Sequence, residues 1–242
     1  LNGTIARFFA NHLGAPGLSN FEDDLPAVGD WSLMDTGGPG NHASATALGL
    51  DPFGATEEDS SLVGFMPVRM MAWTRMRLGW LSPEVVIRSD TLEIAAPHVL
   101  DGTPQAVMVP ISASEYFLLE NRYSRLAQEG RIPLVEFARG AGGGVWTSSD
   151  DYDAFIPGSG ILIWHADDQV IAASEGVAPL NSNPDYRIAT TQYRKGISLE
   201  EADGTEDIGN VSSDRVVQGG IIFLDDIEQN GSFLGEGEDG NL

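Results

Sequence analysis

Four histidines are present, His12, His42, His98 and His165, and none is followed by glutamate. Hydrolysis on a zinc ion asks for two imidazoles one helical turn apart, so that both nitrogens reach one metal. It also asks for a glutamate beside the first, to take a proton from the bound water. No His-Glu-x-x-His run therefore exists in these 242 residues. Cysteine is absent as well, which removes a disulfide scaffold and thiolate-ligated zinc. The glycine run at 140–144 lacks the strand and helix context of a phosphate loop and reads as flexible.

The elements that would carry any site change character along the chain. Ile5, Phe8, Phe9 and His12-Leu13 recur at helical spacing until Gly14 and Pro16 stop them, which predicts a short helix within residues 1–20. A helix of this length cannot bury its own apolar face and needs a partner layer. The candidate is a second helix around Met66–Leu78, where Met66, Met70, Met71, Trp73, Thr74 and Arg77 set an apolar face next to a basic one. Between the two, residues 20–62 are rich in Gly, Pro and Asp and read as ordered loops with an acidic insertion at Glu57–Asp59. From Pro83 onward the pattern is that of strands. Runs at 85–87, 92–94, 106–109, 116–120, 160–164 and 197–200 are short, apolar and bounded by turn residues. Asp101-Gly102 reads as a hairpin turn between two of them. The fold class expected is α+β, with a helical part over 1–82 and a β-rich part over 83–242.

Thirty-six acidic against 13 basic residues give a formal charge of −23, and Lys195 is the sole lysine. Such a surface repels phosphate backbones and anionic lipid, so no nucleic-acid partner and no membrane insertion are expected. No apolar run approaches the roughly 20 residues of a membrane-spanning helix, and no signal segment opens the chain.

Four segments, taken in order, resemble the immune inhibitor A-like (M6) zinc metallopeptidases. His12-Leu13-Gly14-Ala15-Pro16-Gly17-Leu18 is similar to the end of that family's zinc helix and the turn that follows it. Gly29-Asp30-Trp31-Ser32-Leu33-Met34-Asp35 looks like its methionine turn, and Leu78-Gly79-Trp80-Leu81 like the end of the next helix. The fourth is composite: Glu115–Arg122, Pro157–Asp167 and Glu200–Gly204. Together they cover nearly the whole chain.

The resemblance implies a zincin-like fold whose chemistry has been lost. Aligned on Leu13-Gly14 and Pro16, the zinc motif falls on Arg7-Phe8-Phe9-Ala10-Asn11, and the third-ligand position falls on Gly17. Arg7 is always cationic, Phe8 cannot act as a base, Asn11 is a weak oxygen ligand and Gly17 has no side chain. Met34 remains, as a packing element. His12, one residue on, is turned by about 100° around the helix from the motif; it reads instead as a helix-end histidine at the negative end of the dipole. His42 and His98 read as surface loop residues, and the resemblance suggests a structural hydrogen bond for His165 at a strand end.

The resemblance also offers calcium. Asp150, Asp151 and Asp153 in one loop, and Asp167 and Asp168 in another, supply hard oxygen ligands. Neither loop has EF-hand spacing, and a solvated acidic turn is the competing reading.

The expectation is thus a non-catalytic, M6-like domain outside the cell, without zinc, with a structural or protein-binding role. The alternatives are an active zinc endopeptidase whose motif is supplied elsewhere, and a calcium-stabilised surface-assembly module. Residues 1–20 are expected to pack on another protein or on a segment preceding Leu1.

Overall fold

The computed structural model describes residues 2–18, 26–37, 67–130, 134–140, 143–154, 156–174, 195–201, 208, 211–212 and 215–216. His42, the insertion at Glu57–Asp59, Met66 and the Ala202–Gly204 part of the fourth segment lie outside them.

The chain opens with α1 (Asn2–His12). Gly14, at φ 103°, ends it in the left-handed region that only glycine adopts freely, and the Ala15 amide turns back to the carbonyl of Ala10. One 3-10 turn follows at Gly29–Trp31, then α2 (Ala72–Arg77). The second helix is shorter than its apolar spacing predicts, because the residues before it spend their backbone groups elsewhere. The Val68 amide donates to the carbonyl of Gly37, the Arg69 amide to Asp153 Oδ1, and the Arg69 carbonyl accepts from Leu33. Met71 is extended, so the helix begins only at Ala72.

The β-rich part is built on one mixed sheet of five strands. They are β1 (Glu84–Val85), β2 (Ala106–Pro110), β3 (Glu115–Arg122), β6 (Gly160–Asp167) and β7 (Ile197–Leu199), in the order β1-β2-β3-β6-β7. Only the β1–β2 pair is parallel. Two short helices, α3 (Arg125–Glu129) and α4 (Asp168–Ser174), follow β3 and β6 directly. β4 (Val135–Gly140) and β5 (Gly143–Ser149) form a separate hairpin, and β8 (Val211–Ser212) pairs with β9 (Arg215–Val216). These observations establish an α+β class.

Three residues of the glycine run at 140–144 belong to this hairpin, Gly140 pairing with Gly143 and Arg139 with Gly144, while 141–142 lie outside the described residues. Glycines carry no side chains to announce a strand. In the opposite sense, 92–94 does not join the sheet, so Asp101-Gly102 is not the turn of a hairpin: β2 pairs with β1 and β3 instead. The 92–94 stretch runs beside the sheet, with the Ile94 carbonyl held by the Asn121 side chain and the Ala95 amide by the carbonyl of Pro104.

One core serves both parts. Along β3 burial alternates, with Tyr116, Leu118, Glu120 and Arg122 inward. Cross-strand pairing in register aligns these with Ala166, Trp164, Leu162 and Gly160 of β6. Against this face pack Trp31 and Met34 of the first turn, Met71 just before α2 and Trp73 of α2. The change of pattern at residue 83 marks a change of secondary structure and not a break in the core.

α1 departs from its expected packing. Its buried residues are Gly3 and Ala10, whereas Ile5, Phe8, Phe9 and Leu13 are exposed, Phe8 by 69% and Phe9 by 63%. α2 therefore does not cover the apolar stripe that was expected to face it. Small residues lie underneath because the chain closes tightly at that point: the Leu18 amide donates to the carbonyl of Met34 at 3.1 Å, drawing the segment after α1 onto the turn.

Candidate functional site

Specific bonds shape the turn beneath the helix and join the two. Asp35 Oδ2 accepts three backbone amides, from Ala27, Val28 and Gly29, at 2.8, 2.7 and 3.0 Å. This nest of donors shapes residues 27–35 into a closed turn with Met34 fully buried inside it. Ser32 Oγ accepts the Met34 amide at 3.2 Å. Gly37 closes the turn where nothing larger fits, since a Cβ there would lie 2.5 Å from Val68 Cγ2 and 2.7 Å from the carbonyl oxygens of Asp30 and Ser32.

Arg7 reaches down from α1 and donates from Nη1 to the Asp35 carbonyl at 3.3 Å. Burial pushes the Asp35 carboxyl above the usual carboxylate range, opposed by the three amide donors and by the Arg7 charge.

The other positions matched to the zinc motif do not join Arg7 in a cage. Phe8 points to solvent, Asn11 is exposed and Gly17 is half-buried. Zinc takes imidazole, thiolate or carboxylate, so a guanidinium, a phenyl ring and a primary amide form a donor set that does not suit it. Among the described residues no three His, Cys, Asp or Glu side chains are grouped to hold a metal ion.

A second polar centre, which sequence reasoning did not single out, lies in the core. Arg122 is fully buried and donates from Nε and Nη2 to Asp153 at 3.0 and 2.6 Å, and from Nη1 to the Trp31 carbonyl at 3.1 Å. Its Nη1 also lies 3.5 Å from Glu120. Glu120 accepts the indole N–H of Trp164 at 2.9 Å and Arg75 Nη2 at 3.2 Å.

Burial alone would depress the Arg122 guanidinium, but the charges of Asp153 and Glu120 outweigh it and hold the group above its ordinary value. For Arg75 burial prevails over Glu120, and the direction is downward. This network ties α2, β3, β6, the first turn and the 150–154 loop together. Its signal was present in the sequence: period-two alternation from Tyr116 sets Glu120 and Arg122 on the same face as Leu118.

The five aspartates of the calcium reading are mostly engaged by the fold itself. Asp153 holds Arg122 and the Arg69 amide. Asp151 accepts the amides of Arg125 at 2.8 Å and Asp153 at 3.1 Å, and burial raises its carboxyl. Asp150 accepts the Leu134 amide at 2.7 Å and Arg125 Nη1 at 3.2 Å. At the end of β6, Asp167 Oδ1 accepts the Gln169 and Val170 amides, which starts α4. Asp168 Oδ1 lies 3.3 Å from the Tyr116 hydroxyl, whose proton is held to about 12, chiefly by burial and then by Asp168.

His12 ends α1 and is exposed, and His98 is exposed with its ring 6.1 Å from that of Tyr123. His165 lies within β6, its ring 5.5 Å from Phe117 and Nδ1 3.9 Å from Glu200. No protein-family profile, no curated protein and no solved structure matches the chain. No helix among the described residues is long and apolar enough to cross a membrane.

Proposed function

We propose that the chain is a metallopeptidase-like domain of the M6 type that does not hydrolyse peptides and acts outside the cell as a structural or protein-binding module. The observation that carries this reading is the bond from Arg7 to the Asp35 carbonyl. A helix ending in His12-Leu13-Gly14 sits over a buried methionine turn, and an arginine occupies the position at which the resemblance places the first zinc ligand. A permanent cation there braces the turn and repels a divalent metal. The four sequence segments supply the family reading, and the arginine bond supplies the reason for the loss of chemistry.

The test is metal content and casein cleavage on the purified chain. Sub-stoichiometric zinc and no chelator-sensitive cleavage are expected. One zinc per chain with cleavage abolished by chelator would establish instead an active endopeptidase.

A further inference from the structure

Among the described residues the β1 edge of the sheet is open and apolar. β1 is the terminal strand, and no described strand pairs with its outer side. Val86 donates its amide inward to the Met108 carbonyl at 2.9 Å. Successive residues of a strand direct their backbone groups alternately to the two sides, so the amide and carbonyl of Val85 face outward, and continuing the strand beyond β1 would turn those of Ile87 outward as well. The side chains are open as well: Val85 is 55% exposed and Ile87 84% exposed, with Glu84 and Arg88 exposed on either flank. Strand edges of this kind are usually shielded by charges of one sign, which repel any second strand. Here the two flanking charges are opposite.

We propose that Glu84–Arg88, β1 with the three residues that follow it, is a self-association edge, which extends as a strand on pairing antiparallel with the same segment of a second copy of this chain about a two-fold axis at Val86. Glu84-Val85-Val86-Ile87-Arg88 is self-complementary in that register. Val85 meets Ile87 of the second copy, and the two exchange both of their backbone hydrogen bonds, because these are the residues whose amides face outward in the extended strand. Val86 meets its own counterpart with its amide still committed to β2. Glu84 meets Arg88 on each side of the axis. A parallel, in-register pairing would instead set Glu84 on Glu84 and Arg88 on Arg88, so the same charges that favour the closed dimer oppose open-ended stacking. The contact is short and the chain carries −23 overall, so the association is weak, with a Kd on the order of 100 µM.

Sedimentation equilibrium of the full 242-residue chain over a concentration series, at physiological ionic strength, tests this. A monomer–dimer equilibrium is expected. Glu84→Arg should weaken it about tenfold by opposing like charges, although it reduces the overall negative charge and would strengthen any non-specific association. Adding Arg88→Glu should restore it to within about twofold, since the pairs re-form with their signs exchanged. Ile87→Pro removes an outward amide without touching the β1–β2 bonds and should leave a monomer of unchanged melting temperature. A chain that stays monomeric to about 1 mM overturns the proposal. So does a dimer indifferent to Glu84→Arg, or one that the second substitution fails to rescue. Should Ile87→Pro not fold, the charge exchange decides alone.

Discussion

α1 and β3 are both amphipathic, and they bury opposite kinds of residue. β3 turns Glu120 and Arg122 into the core with Tyr116 and Leu118, while α1 turns Gly3 and Ala10 inward and leaves Ile5, Phe8 and Phe9 in the open. The difference lies in what each element meets. The charges of β3 have full partners in Asp153, Arg75 and the Trp164 indole, so their desolvation is offset. α1 meets a turn already filled by Met34 and closed by Asp35, and only small side chains fit between them. An amphipathic pattern identifies two unlike faces. Which one is buried depends on the partner surface.

The largest expected effect falls on the buried network. Arg122→Met leaves Asp153 and Glu120 inside without their common cation, and urea unfolding should show a loss of about 3–5 kcal/mol. A loss below about 1 kcal/mol would mean that water or a rearranged Arg75 takes over, and β3 would no longer contrast with α1. Next comes the tight side of the helix. Ala10 is fully buried, so Ala10→Leu should cost about 1–3 kcal/mol by overpacking, and a neutral result would show the turn below to be compliant.

Asp35 sharpens the contrast through pH. Its carboxyl is raised by burial, so the folded chain binds this proton more tightly than the unfolded one. The resulting stabilisation is complete below the ordinary aspartate value and fades as pH rises through the higher folded value. Urea midpoints measured from about pH 4 to pH 7 should therefore fall more steeply for the parent chain than for Asp35→Asn. Parallel curves would exclude Asp35 as the titrating group. Calcium comes next. Because Asp150, Asp151 and Asp153 already accept bonds from Leu134, Arg125, Arg122 and neighbouring amides, calcium should move the melting temperature by less than about 2 °C relative to chelator. A larger rise would return the acidic loops to consideration as a binding site. The smallest effect belongs to the open stripe: Phe8→Ser should change stability by no more than about 0.5 kcal/mol, read from the same urea curves, because the ring is largely solvated already.

Much of the scaffold was legible in the residues. The bounds of α1 follow from Gly14 and Pro16, and β2, β3, β6 and β7 follow from short apolar runs between turn signals. The β4–β5 hairpin did not, since glycines hide the period-two pattern that marks a strand. The start of α2 was displaced because backbone bonds to Gly37 and Asp153 outweigh the helical spacing of the methionines. Of the candidate site, Arg7 and Met34 were named through the resemblance, and the structure brings Arg7 to the carbonyl of Asp35, the residue after Met34. The anchoring role of Asp35 was not legible, because it comes from the backbone amides of residues six to eight positions earlier in the chain.

The residue types by themselves determined that no His-Glu-x-x-His run and no cysteine occur in these 242 residues. They also marked α1, β2, β3, β6 and β7 in order, because these depend on local spacing, but not α3, α4 or the β4–β5 hairpin. Only the tertiary structure decided which face of α1 is covered, which carboxylates are spent on arginines and amides, and which strand ends the sheet among the described residues. Those outcomes depend on groups far apart in sequence meeting in space, and local pattern carries no record of such encounters.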